Sequence, residues 1–238
     1  HSAILVGDFL FSAATAAADE QALTLPEDCA HAFARRFADM HAEVALGQYL
    51  DISAEQSPLD PERTDALSMS DSLEVALHKS AHYSVVHPAL LGAICAAPSF
   101  DHVAGLLDVL ETILTPWGLA FQLRDDDLGV FGDPAVTGKP AGDDLREGKR
   151  TALLALTWEA SSPAEQRALT DVLGVAEASA QQIATATDIV ERNGRAAHEA
   201  EIVSLVADGD AALEASEFDE NARAMLRELC SILTARRA

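Results

Sequence analysis

The stretch from Phe121 to Val130, "FQLRDDDLGV", sets three consecutive carboxylates, Asp125, Asp126 and Asp127, among apolar side chains. Read as a helix, Gln122, Asp125, Asp126 and Gly129 stand at i, i+3, i+4 and i+7 on one stripe, and Asp127 points away from it. Acids flanked by Phe121, Leu123, Leu128 and Val130 cost free energy if buried alone, so they require water, a cation or a metal. A solvated helix end is the plain alternative.

The next segment, "GDPAVTGKPAGDDLREGKRT", argues against that alternative. Gly132, Gly138, Gly142 and Gly148 let backbone approach a ligand closely, and Lys139 and Lys149 each come after a glycine. Carboxylates that hold a hard cation, beside lysines that hold phosphate oxygens, are the parts of a Mg²⁺-diphosphate site. Two look-alikes fail. A calcium loop starting at Asp125 needs glutamate at its twelfth position, where Val136 stands. A Walker loop needs four residues between its glycines and Ser or Thr after the lysine; Gly132 and Gly138 are one residue too far apart, and Pro140 comes after Lys139. His78 and His82 have the i, i+4 spacing of a zinc pair, but "HKSAH" lacks the metalloprotease glutamate, so the expectation is that they line the rim or surface of a cavity.

These residues must be positioned by helices. Apolar residues recur at helical spacing almost everywhere, with no convincing strand alternation. The pattern predicts helices from about Ile4 to Ala18, from Pro26 to near Asp51, and from Asp71 to Ala96 with Ser70 as cap and a kink or split at Pro88. A polar connector covers Ser53 to Arg63. A long helical pattern runs from about His102 to Val130, interrupted by "TPWG", where Pro116 should bend it; after the glycine-rich loop come helices near 151–160, 163–173, 176–193, 195–215 and 219–236. The expectation is one all-α domain over 1–238.

Composition narrows the partners. Of 238 residues, 39 are acidic and 16 basic, a net charge of −23 that repels nucleic acid and anionic lipid. No apolar run is read as reaching membrane-spanning length, so no stable membrane insertion is expected. Cys29, Cys95 and Cys230 are odd in number and form no CxxC, the pattern of reduced thiols and a cytoplasmic location.

"FQLRDDDLGVFGD" together with "GKPAGDDLREGKRT" resembles the second aspartate-rich region of the trans-isoprenyl diphosphate synthases. "AILVGDFLF" at 3–11, "GQYLD" at 47–51 and "HKSAHYSVVHPALLGA" at 78–93 are similar to further elements of that family, in the same order. The resemblance implies an all-α isoprenoid synthase-type bundle with a central cavity, working as a homodimer. It implies that Asp125 and Asp126 ligate Mg²⁺ on an allylic diphosphate, and that Lys79, Lys139 and Lys149 contact phosphate oxygens. Gln122 and the Lys79–Ser80 element would face the developing allylic cation, with Gln48, Asp51 and Phe121 lining the substrate cavity. The reaction implied is ionisation of the allylic diphosphate, attack by isopentenyl diphosphate and loss of a proton, with geranylgeranyl diphosphate the favoured product. The alternative is a non-catalytic Mg-diphosphate-binding or regulatory subunit.

Two departures from the family pattern stand out. The last position of DDxxD is Gly129, which cannot ligate a metal; Asp133, one turn on, is the sequence's nearest substitute. The family's earlier DDxxD has no counterpart, since adjacent aspartates occur only in 125–127 and at 143–144, so His1 reads as an internal residue of a longer protein. "DDLRE" at 143–147 is expected to be solvated or paired with Arg146 or Lys149, and Arg236 and Arg237 to form a frayed end.

Overall fold

The longest helical pattern in the sequence becomes the axis of the molecule. In the structure, a computed structural model that describes residues 2–60, 67–138 and 140–235, helix α5 runs from Phe100 to Phe131 without interruption. It packs chiefly against α11 (Arg195–Ala215) on one side and a π-helical segment (Leu77–Val86) on the other. Pro116, where a bend was expected, lies inside α5 and does not end it. A proline in a helix interior costs about 3 kcal/mol. Its neighbours Ile113, Leu114 and Trp117 are fully buried, and each such side chain returns about 1.5–3 kcal/mol, so packing holds the helix through the proline.

Around this axis stand α1 (Ser2–Ala22), α2 (Glu27–Gln56), α3 (Met69–Ala76) and α4 (His87–Ala96). After α5 come two short turns of helix, α6 (Pro134–Thr137) and α7 (Asp143–Glu147), then α8 (Ala152–Ala160), α9 (Pro163–Thr170), α10 (Ala180–Asn193), α11 and α12 (Glu220–Thr234). No strand occurs among the described residues, in keeping with the all-α reading.

The start of α3 is capped by Ser68, whose hydroxyl accepts from the Asp71 amide, whereas Ser70 only bonds to the Ser68 hydroxyl. The long helix expected from Asp71 to Ala96 is split, but by a change of winding. Leu77–Val86 is π-helical, and the backbone N–H of His87 donates to the carbonyl of His82, five residues back. Pro88 then occupies the first turn of α4, where a missing N–H costs nothing.

The main core gathers Leu107, Leu110, Ile113, Leu114 and Trp117 of α5 with Val85, Leu90 and Ile94. A second cluster, including Leu145, Leu153, Trp158, Ile189 and Val190, forms under the loop after α5. Two described helices, α1 and α5, are long and apolar enough to cross a membrane, which corrects the expectation that no run reaches that length. In α5 that apolarity serves the core. In α1 it is exposed, with Ile4, Leu5, Val6, Phe9 and Leu10 all at the surface.

Candidate active site

Three helices meet where α5 nears its end. The stripe foreseen on α5 forms: Gln122, Asp125 and Asp126 line one cleft of about 230 Å³ together with Asp51 of α2, Lys79 and Ser80 of the π-helical segment, and Asp144 and Lys149 of the loop after α5. Gln122 Nε2 donates to Asp126 Oδ1 at 2.7 Å, the i, i+4 bond that the spacing allows. Asp125 is exposed and Asp126 buried.

Asp127 turns the other way, as its position requires, and is also buried. Arg195 of α11 grips it with two bonds, Nε to Oδ1 at 2.9 Å and Nη2 to Oδ2 at 3.3 Å, while its guanidinium lies 4.0 Å over the ring of Phe131. The third aspartate therefore ties α5 to α11, and only the first two face the cleft.

The stripe on α2 is equally simple. Glu43, Gly47 and Asp51 are four apart, and all three meet the π-helical segment. A Cβ at Gly47 would overlap the backbone nitrogen of Lys79, so α2 approaches as only glycine permits. Lys79 then reaches along α2, its Nζ 2.5 Å from Asp51 Oδ2.

Asp144 was expected to be solvated or paired with Arg146 or Lys149; it is paired with Lys149 and also buried. Gly142 and Gly148, both at positive φ, bracket α7 and fold it back over α5, so that Asp144 points inward and bonds Lys149 Nζ at 2.5 Å. Glu147 stands 3.1 Å from the same ammonium. Burial alone would depress Lys149, but these two carboxylates outweigh it and hold its pKa above the ordinary lysine value. Gly129 now acquires a structural reason: a Cβ there would overlap the Asp144 carboxylate. Gly129 leaves open the space that Asp144 fills.

Asp126 senses the crowd of carboxylates. Burial pushes its pKa well above the usual range; the Gln122 bond and Lys149 oppose the shift, and Asp144 and Asp125 add to it. A buried acid beside two others, all oxygen donors, is a donor set suited to a hard divalent cation. Mg²⁺ fits these residues.

Other expected site residues are placed differently. Gln48 is exposed and bonds Asp51 at 3.4 Å without lining the cleft, and Phe121 packs against the main core. Asp133 caps α6, its carboxylate accepting from the Ala135 amide. His78 and His82 turn from the cleft toward Glu43. Lys139, Arg236 and Arg237 lie outside the described residues. Ser72, Arg150 and Thr151 also line the cleft, and no spacing in the sequence signalled them.

The Polyprenyl synthetase family model matches residues 1–190. The chain is 32% identical over 193 residues to a geranylfarnesyl diphosphate synthase of Aeropyrum pernix, covering 81% of this chain and 56% of that one. It is 33% identical over 201 residues to a geranylgeranyl diphosphate synthase of Mycobacterium tuberculosis, covering 82% and 52%. Among solved structures it is similar to the geranylgeranyl pyrophosphate synthase of Corynebacterium glutamicum complexed with isoprenyl diphosphate and magnesium, at a TM-score of 0.77 and 37% identity, covering 90% of this chain and 57% of that one. The polyprenyl synthetase of Streptomyces coelicolor A3(2) gives a TM-score of 0.79 at 26% identity, covering 97% and 66%. The chain spans about half the length of the curated relatives that it matches.

Proposed function

Because the chain belongs to the polyprenyl synthetase family, we propose that its cleft binds the diphosphate of an allylic substrate as part of a short-chain prenyl diphosphate synthase that condenses it with isopentenyl diphosphate. The observation that carries this reading is the convergence of Asp125, Asp126 and Asp144 with Lys79, Lys149, Gln122 and Ser80 on one cleft.

Asp125 and Asp126, with Asp144 beside them, would hold Mg²⁺, which when bound would supply positive charge against which a diphosphate can leave. The chain's own residues do the rest. Each lysine is already neutralised, Lys79 by Asp51 and Lys149 by Asp144. In the proposed complex the lysines pass from carboxylate to phosphate oxygens, and Lys139 joins them. This exchange of partners keeps the lysines oriented before substrate arrives, so that little reorganisation remains during ionisation. Gln122 commits its Nε2 to Asp126, which fixes the amide and sets its carbonyl dipole, with the Ser80 hydroxyl, as stabilisers of the allylic cation. Val75 and Ala76 supply apolar wall, where water would quench that cation.

Geranylgeranyl diphosphate is the proposed product, a reading supported by the names of the relatives from M. tuberculosis and C. glutamicum. A homodimer is proposed as well, with a second copy covering the exposed apolar face of α1. The three free cysteines support a reducing, cytoplasmic setting.

The test is a condensation assay with labelled isopentenyl diphosphate and each allylic diphosphate, with and without Mg²⁺, with and without a supplied segment bearing an earlier aspartate-rich motif. A Mg²⁺-dependent product is expected when that segment is present, reduced about 100-fold or more by Asp126→Asn. Asp127→Asn, which weakens the ion pairs of Asp127 with Arg195 and Arg124 away from the cleft, leaves diphosphate binding in place. Mg²⁺-dependent binding of diphosphate with no product under any condition would instead establish the non-catalytic subunit.

A further inference from the structure

Glu43 of α2 sits among three histidines of the chain packed against it. Its Oε1 lies 2.7 Å from His78 Nδ1 and 2.5 Å from His82 Nδ1, and its Oε2 lies 2.7 Å from His87 Nε2. The donor atoms of Glu43, His78 and His82 all fall within 4.8 Å of one another. Their side chains are 21%, 25% and 16% exposed, so the group is sheltered yet open to solvent, while His87 is buried. None of the four lines the carboxylate cleft.

The grouping depends on the π-helical winding. At about 3.6 residues per turn, the nine residues from His78 to His87 make about two and a half turns, which would set the two side chains on opposite faces. A π-helix takes more residues per turn. Steps of four and then five residues therefore bring His78, His82 and His87 to one face, toward α2. Gly47, one turn along α2 from Glu43, permits the close approach that completes the cluster.

We propose that Glu43, His78 and His82 form a site for a first-row transition metal of the zinc class, with His87 holding the second carboxylate oxygen of Glu43 in place. Two imidazoles and one carboxylate are the ligand types of three-ligand zinc sites, and a hydrogen bond to the free carboxylate oxygen is the usual outer support. Imidazole donors favour zinc, copper, nickel or iron over Mg²⁺, so this site and the carboxylate cleft select different ions. The metal takes the place of the protons that now lie between Oε1 and the two Nδ1 atoms, and those protons move to the other ring nitrogens or to solvent. Because His78 and His82 flank Lys79 and Ser80, the metal clamps to α2 the segment that carries those two residues. The proposal stands on the cluster alone and does not depend on the prenyl-transfer reading.

The experiment is titration of the metal-free protein with Co²⁺, monitored by visible absorption. One equivalent should give the d–d bands of a nitrogen and oxygen site without a thiolate charge-transfer band; Zn²⁺ should displace it, Mg²⁺ should not. Zn²⁺ should also raise the Tm. Both effects should vanish in His78→Gln/His82→Gln and in Glu43→Gln, persist in Asp125→Asn/Asp126→Asn, and weaken about 10–100-fold in His87→Asn. Absence of the bands at stoichiometric Co²⁺, or their persistence in the histidine variants, overturns the site and leaves a hydrogen-bonded Glu–His cluster. X-ray absorption of the Zn²⁺-loaded wild-type protein tests it without any variant. Imidazole scattering supports the site, and an oxygen-only shell refutes it.

Discussion

Gly129 and Asp144 compete for one space, and their identities make sense only together. In a helix interior, alanine is ordinarily favoured over glycine by about 1 kcal/mol. At position 129 the added methyl would overlap the Asp144 carboxylate, which is buried and bonded to Lys149. Gly129→Ala should therefore fail to raise the unfolding free energy, and it should weaken Mg²⁺-dependent diphosphate binding about 10-fold by displacing Asp144. Chemical denaturation and calorimetric titration with inorganic diphosphate check the two halves separately. A stabilised variant with unchanged binding would show that Asp144 has no part in the cleft. The triple aspartate divides in the same residue-by-residue way: two carboxylates serve the cleft, and Asp127 anchors Arg195.

Among the elements, the decisive contact is between α2 and the π-helical segment. Glu43, Gly47 and Asp51 form one stripe, holding in turn the histidine cluster, the backbone at Lys79 and the Lys79 ammonium. A methyl at position 47 meets backbone atoms, which cannot turn aside as a flexible side chain would. Gly47→Ala should destabilise the protein by about 1–3 kcal/mol, the range for overpacking, against the small gain expected from helix propensity. It should also weaken diphosphate binding through Lys79, although position 47 lines no part of the cleft. Urea denaturation midpoints and diphosphate titration read both effects.

For the molecule as a unit, acid should loosen the packing of α11 on α5 first. His198 of α11 is almost completely buried, its Nε2 without a hydrogen-bond partner among the described residues. Burial lowers its pKa from 6.5 to about 4, with Asp127 opposing the shift. Because the folded value is depressed, this contribution to stability is full above pH 6.5 and is lost as pH falls through 4. A shift of this size corresponds to roughly 3 kcal/mol. The unfolding free energy should fall by about that amount between pH 6.5 and 4, and His198→Leu should flatten this limb. Glu43 adds a second loss at lower pH. Burial works to raise it, but hydrogen bonds from His87, His78 and His82 hold it at about 2, so its contribution disappears as pH falls from 4.5 toward 2.

Properties set by neighbours within a turn or two were legible in the order of residues. Apolar spacing marked the helices; the spacing of Gln122, Asp125 and Asp126 put them on one stripe; and oxygen donors beside a glycine and lysine loop indicated a hard cation and a diphosphate. Contacts between elements distant in sequence were settled by packing in three dimensions, which no local pattern encodes. The loop has no period to reveal that Asp144 faces inward, and Gly129 looks like a loss of function until Asp144 is seen to occupy its space. Pro116 marks a weak point in the helical pattern, and only the burial around it shows what carries the helix through. The three histidines fall on one face only because packing between α2 and α5 accompanies a π-helical winding that residue spacing at the α-helical period does not predict.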